Sequence, residues 1–264
     1  MVQLGPAAVN SLLDRAVSGS CVADILGWTL PRAICGDVSK EEPSSPRPLA
    51  STARLLQAIV AALEGPAEPR AVIALESIAQ ASVHTPCPAW PAVVKSVPGP
   101  ATRLLVRVST RHREKVLEAL ASLGPAAAPA LPTAISLLDD VQARRAALAL
   151  LGSIGPASAP SVPRLLEIFE ATNDPAAAEA LGMIGRPALA ALPKLLALLS
   201  DTSRGGCSKP PLPMNVLIGA IAALAAVAPA SSRDIAVAGL QSGRQSCPKL
   251  DTWFAGVLEH LGVR

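Results

Sequence analysis

The chain repeats itself, and the repeat limits what it can fold into. Leu120-Ala-Ser-Leu-Gly124-Pro125 recurs as Leu151-Gly-Ser-Ile-Gly155-Pro156 and again as Leu181-Gly-Met-Ile-Gly185-Arg186-Pro187. Each copy is followed by an apolar residue and proline: Leu131-Pro132, Val162-Pro163 and Leu192-Pro193. A leucine-rich stretch comes next: Ile135 to Leu138, Leu165 to Ile168 and Leu195 to Leu199. The landmarks return at nearly equal intervals, Leu131, Val162 and Leu192 marking the same place in successive copies. A fixed period of this size signals units that bury their apolar faces against their neighbours.

Each unit reads as two helices. Ala147, Leu148, Leu151 and Ile154 fall on one helical face, which predicts a helix over Ala143–Ile154. Gly155 ends it, because glycine takes a left-handed backbone cheaply, and Pro156 starts the next segment, where a missing N–H costs nothing. A first helix is expected over Ala126–Asp139, kinked or opened by Pro132. Asp139 and Asp140 form an acidic turn near the N-terminus of the second helix, where the helix dipole favours negative charge.

Composition agrees with an all-α fold. Half of the 264 residues are apolar but only 2% are aromatic, with no Tyr. Ala and Leu are strong helix formers, whereas β-sandwiches and barrels lean on aromatic and β-branched residues.

Outside the clear copies, Leu49–Leu63 with Pro69–Ala79 suggests an earlier pair, broken at Gly65-Pro66. Trp90-Pro91 stands further ahead of Leu131-Pro132 than one period allows, so that unit carries an insertion, placed around Val97-Pro98-Gly99-Pro100. Helices are expected over Val216–Val227, Arg233–Leu240 and Trp253–Leu261, with an inserted loop over 202–213. Residues 1–48 form an irregular N-terminal cap, with a mobile, Pro-rich loop over 36–48. The expectation is one domain over 1–264, a right-handed α-solenoid of about seven helix pairs.

The string Gly-Pro-x-Ala-x-x-apolar-Pro-x-Leu-Leu, then Asp140 and Arg144, then Ala-Leu-x-x-Ile-Gly, resembles HEAT repeats of the short, phycobilisome-lyase-like kind. The resemblance is most specific over 118–201. It implies a polar ladder between repeats, an Asp in the turn and an Arg early in the second helix, matched by Asp140, Arg144 and, one unit earlier, Arg113. Asp174-Pro175 replaces that Arg in the following unit. The resemblance also implies that second helices line a concave face. Its floor would carry Arg113, Glu114, Gln142, Arg145, Ala149 and Glu179.

Fold does not select activity, and HEAT-like arrays host several. Iron-binding hydroxylases of the family use paired His-Glu motifs, but none of His84, His112 and His260 is followed by Glu. Bilin lyases attach chromophores with a partner subunit, and HEAT-like DNA glycosylases lay DNA in a basic groove. The sharpest charge feature is Arg103, Arg107, Arg111, His112, Arg113 and Lys115, continued by Arg144 and Arg145. One continuous helix would put Arg103, Arg107 and Arg111 on a common face able to bind phosphates or an acidic partner, although Val106, Val108 and Thr110 weaken the helix. A net charge of +3 and no interleaved aromatics favour a solvated face over a nucleic-acid surface.

Other chemistry is thin. His84-Thr-Pro-Cys87 offers two possible metal ligands where structural zinc normally takes four. Glu259 and His260 point about 100° apart on a helix and read as solvated. Trp28, Trp90 and Trp253 read as core or capping residues rather than binding anchors. Five widely spaced cysteines without a Cys-x-x-Cys read as reduced structural thiols. The N-terminus lacks a basic secretory pattern, and the longest apolar run, Val216 to Ala230, is too short for a membrane span. The expectation is a cytoplasmic, noncatalytic scaffold that binds a protein or peptide, with no cofactor and no metal. A DNA-binding protein using the basic residues and a bilin lyase-like accessory protein are the alternatives.

Overall fold

The computed structural model describes residues 61, 63, 69–76, 97–108, 110–204 and 213–263. The expected N-terminal cap, the loop over 36–48, Trp28, Trp90, His84 and Cys87 lie outside them. The described chain is all-α. It divides into two compact units, Met1–Leu150 and Leu151–Arg264.

In the first unit, residues 69–76 are helical. Helix α1 (Pro98–Arg107) begins on two prolines in its first turn and buries Ala101, Leu104 and Leu105. This helix begins within the stretch around Val97-Pro98-Gly99-Pro100 where the repeat spacing places an insertion. The chain turns extended at Val108, whose N–H donates to the Leu104 carbonyl, and resumes as α2 (Thr110–Ser122). Arg103 and Arg107 thus belong to one helix and Arg111 to the next, so the single basic face requiring a continuous helix does not form. Val106 and Val108 stiffen the backbone at the break, as β-branched residues do.

The segment read as one kinked helix over Ala126–Asp139 is three pieces. A 3-10 segment spans Gly124–Ala130, α3 is Leu131–Ser136, and a second 3-10 turn covers Leu137–Asp139. Pro125 and Pro129 supply no N–H to an α-ladder, which favours the tighter coil. Pro132 lies in the first turn of α3, where it costs nothing, instead of kinking a longer helix. After the Asp140 turn comes α4 (Arg144–Ile154), within which the division between units falls.

The same local geometry recurs in the second unit. Gly155 and Gly185 both sit at φ +74, and each is followed by a proline-containing 3-10 segment, Gly155–Ser161 and Arg186–Ala191. Helices then start on the apolar-Pro pairs: α5 (Val162–Thr172) and α7 (Leu192–Arg204). Helix α7 runs through residues 201–204, into the stretch expected to be an inserted loop. The serines of the first 3-10 segment are fully buried and paired: Ser158 donates to the Leu151 carbonyl and Ser161 to the Ser158 carbonyl, each at 2.7 Å. Asp174, with Pro175 after it, caps α6 (Pro175–Ile184), its carboxylate accepting from the Ala176 N–H at 2.8 Å.

The remaining helices are α8 (Met214–Val227), α9 (Ala230–Ser246) and α10 (Asp251–His260). Within this unit α5 packs on α6, α7 on α8 and α9 on α10. In addition α8 packs against both α6 and α10, and α7 against α9, so α6, α8 and α10 make one layer and α7 and α9 belong to another. Phe169, Phe254, Leu181 and Leu224 are fully buried. Small residues let helices approach closely: a Cβ on Gly152 would lie 3.1 Å from Ala180 Cα, and one on Gly182 would lie 3.1 Å from Ala220 Cα. Among the described residues no helix is long and apolar enough to cross a membrane. The apolar run after residue 213 is α8, with Leu217, Ile218, Ile221 and Leu224 buried.

Candidate functional site

In the first unit the Asp140 turn organises the polar residues singled out by sequence. Asp140 Oδ1 accepts from the backbone N–H groups of Gln142 (3.0 Å) and Ala143 (3.4 Å), while Oδ2 accepts from Arg113 Nη1 on α2 at 3.0 Å. Arg144 Nε donates to the Leu138 carbonyl at 2.7 Å. The Asp140 carboxyl is held below its ordinary range, first by the Gln142 N–H and then by the Ala143 N–H and the Arg113 guanidinium, against a partly offsetting desolvation. Arg113 and Asp140 thus link α2 to the Asp140 turn. Arg144 instead stitches the start of α4 to the preceding 3-10 turn.

The expected basic patch is largely spent on internal partners. Arg107 Nη2 donates to the Leu63 carbonyl at 2.9 Å, and Lys115 Nζ pairs with Glu76 at 3.2 Å. Arg113 and Arg144 are engaged as above, Arg103 and His112 also make contacts with other groups, and the Arg111 side chain lies outside the described residues. Four of the residues expected on the docking face are outward in this unit. Glu114 is exposed on α2, and Gln142, Arg145 and Ala149 are exposed before and along α4, the last two a single turn apart.

Glu179 belongs to the second unit and is exposed on α6. With Met183, one turn on, and Asn215, Gly219 and Ala223 on α8, it lines a shallow groove of about 240 Å³. Met183 is 51% exposed, unusual for so apolar a side chain. A Cβ on Gly219 would meet nothing within 4 Å. Sequence reasoning identified Glu179 but missed Met183, Asn215, Gly219 and Ala223. The available signal was the i, i+4, i+8 spacing of Asn215, Gly219 and Ala223, which puts a polar and two small residues on one face of an apolar helix.

A larger open cleft of about 770 Å³ lies between α9 and α10, floored by Ala255, Leu258 and Val263. Its polar wall is an ion pair, Arg244 Nε to Asp251 Oδ1 at 2.6 Å. The mutual hydrogen bond raises the Arg244 pKa and lowers that of Asp251. Trp253, on α10, is 57% exposed rather than part of the core, while Glu259 and His260 are both solvated. Among the described residues no group of three or more His, Cys, Asp or Glu side chains could hold a metal ion.

The cysteines differ from the expectation. Cys247, at the end of α9, is disulfide-bonded, and its partner sulfur lies outside the described residues. Spacing along the chain misleads here because residues far apart in sequence can meet in a helical fold. No family model matches the chain, and no curated protein matches its sequence.

Proposed function

We propose that the chain is a noncatalytic scaffold: a right-handed α-solenoid of HEAT-like helix pairs, in which the second helix of each pair faces a protein or peptide partner. The observation that carries this reading is the α6–α8 groove. It is an outward face of one helix layer, built from small residues around a half-exposed methionine and edged by Glu179 and Asn215. Flexible methionines suit adaptable docking surfaces. The repeated glycine–proline landmarks and the Arg113–Asp140 link add support for HEAT-like pairs. Internal pairing of Arg107, Arg113 and Lys115 favours a protein partner over DNA, and no feature of the site favours a bilin.

The test is affinity purification from the natural source with wild type, Gly219→Ala and Gly219→Arg. The fold leaves room at Gly219, so both variants should fold, and the arginine should fill the groove. A partner held by wild type and Gly219→Ala but lost from Gly219→Arg supports the reading. Equal recovery by all three refutes the groove as the docking face.

A further inference from the structure

Charge is divided unevenly among the helices of the second unit. The layer made by α6, α8 and α10 contains no Lys or Arg in any of its three helices. Its charged side chains are Glu179, Asp251 and Glu259, with His260 beside the last. The Lys and Arg of this unit's other helices fall on α5, α7 and α9. Asp251 is paired with Arg244, but the exposed carboxylates of Glu179 and Glu259 have no partner among the described residues. In a chain whose net charge is +3, this layer carries the opposite sign.

Glu179 is also the one charged residue among those lining the α6–α8 groove. At about 240 Å³ the groove is smaller than the roughly 300–1,000 Å³ of small-molecule sites. From Asn215 to Ala223 it follows about 12 Å of α8, just over two turns, which matches the span of i, i+4 and i+7 anchors on a docked helix. Space over Gly219 is open, and the half-exposed Met183 is flexible enough to re-pack around an aliphatic anchor. Strand addition has no edge to use, since the described residues contain no strand. Resting on the scaffold reading, we propose that the groove receives a cationic amphipathic helix of a partner protein. Its aliphatic side chains seat along Met183 and Gly219, and a Lys or Arg reaches Glu179. Nucleic acid and anionic lipid are repelled by the same layer, because each needs cations to neutralise its phosphates.

The experiment uses the full chain and three synthetic helical peptides of about 18 residues, long enough to hold a helix. All three share one leucine face; the polar face is lysine, glutamine or glutamate. Binding is read by fluorescence anisotropy of a label on each peptide. The lysine peptide should bind most tightly and the glutamate peptide least, with a preference that shrinks as salt rises. Glu179→Gln should weaken the lysine peptide about threefold and Glu179→Lys about tenfold, and both change only an exposed side chain. Equal affinity for all three peptides, abolished by Gly219→Arg, would overturn the cationic partner and leave the groove as the docking face. A lysine preference untouched by Gly219→Arg would overturn both, because the peptide then sits elsewhere. An order of affinities unchanged in Glu179→Lys, or no binding of the lysine peptide below about 1 mM, would also overturn the proposal.

Discussion

Replacing two glycines by alanine, one at a time, separates the roles the structure gives them. Gly182 and Gly219 both lie inside helices, so each alanine gains about 1 kcal/mol of helix propensity. At Gly219 the added methyl meets nothing within 4 Å, so the whole gain survives. At Gly182 the methyl would stand 3.1 Å from Ala220 Cα and 3.5 Å from its Cβ. Main-chain atoms cannot rotate away, so α6 must back off from α8, at an overpacking cost of about 1–3 kcal/mol. Gly219→Ala should raise the midpoint by about 2–4 °C, and Gly182→Ala should leave it unchanged or lower it by up to about 8 °C. Thermal unfolding followed by circular dichroism in the far ultraviolet, with urea titration as a second measure, reads the difference. If Gly182→Ala stabilises as much as Gly219→Ala, the close approach of α6 and α8 is wrong. If Gly219→Ala destabilises, the groove is not open.

Ser158→Ala should cost about 1–3 kcal/mol by urea titration, because it leaves the Leu151 carbonyl without its buried hydroxyl partner. Gly185, at φ 74 and ψ −128, occupies a region other residues avoid, so Gly185→Ala should cost about 1–3 kcal/mol although there is room for the methyl. Asp140 has a lowered carboxyl pKa when folded, so its contribution is complete above the unfolded value, about 3.9, and is lost as pH falls through the folded value. The Asp140→Asn variant should therefore lose less stability than wild type between about pH 4 and pH 2, and parallel midpoint-versus-pH curves for the two would refute that linkage.

Local chemistry was largely legible in the sequence. Gly155 predicts the positive φ that ends α4, Asp140 predicts a polar turn, and the spacing of Ala147, Leu148, Leu151 and Ile154 predicts the buried face. Proline was harder to read. Pro125 and Pro129 signal a disturbance, but choosing a 3-10 coil over a kinked helix depends on how the segment packs against α1 and α2. The helix expected over Arg233–Leu240 begins at Ala230 and extends to Ser246, because Gln241, Ser242 and Gln245 look like loop residues yet only face solvent. The candidate site was least legible. Arg107 and Lys115 are indistinguishable in sequence from free cations, and only the fold brings them to the Leu63 carbonyl and Glu76. Openness at Gly219 and contact at Gly182 are likewise properties of neighbouring helices, since both residues read simply as glycine.

At Gly182 helix α6 approaches α8 so closely that an added Cβ would lie 3.1 Å from the Ala220 Cα, with only the methyls of Ala220 and Ala223 beside it. A bulkier residue there cannot be absorbed by one rotamer; it displaces a whole rod. Sequence drift along that seam should therefore be confined to glycine and alanine, while the outward side of the same helices is free to diversify.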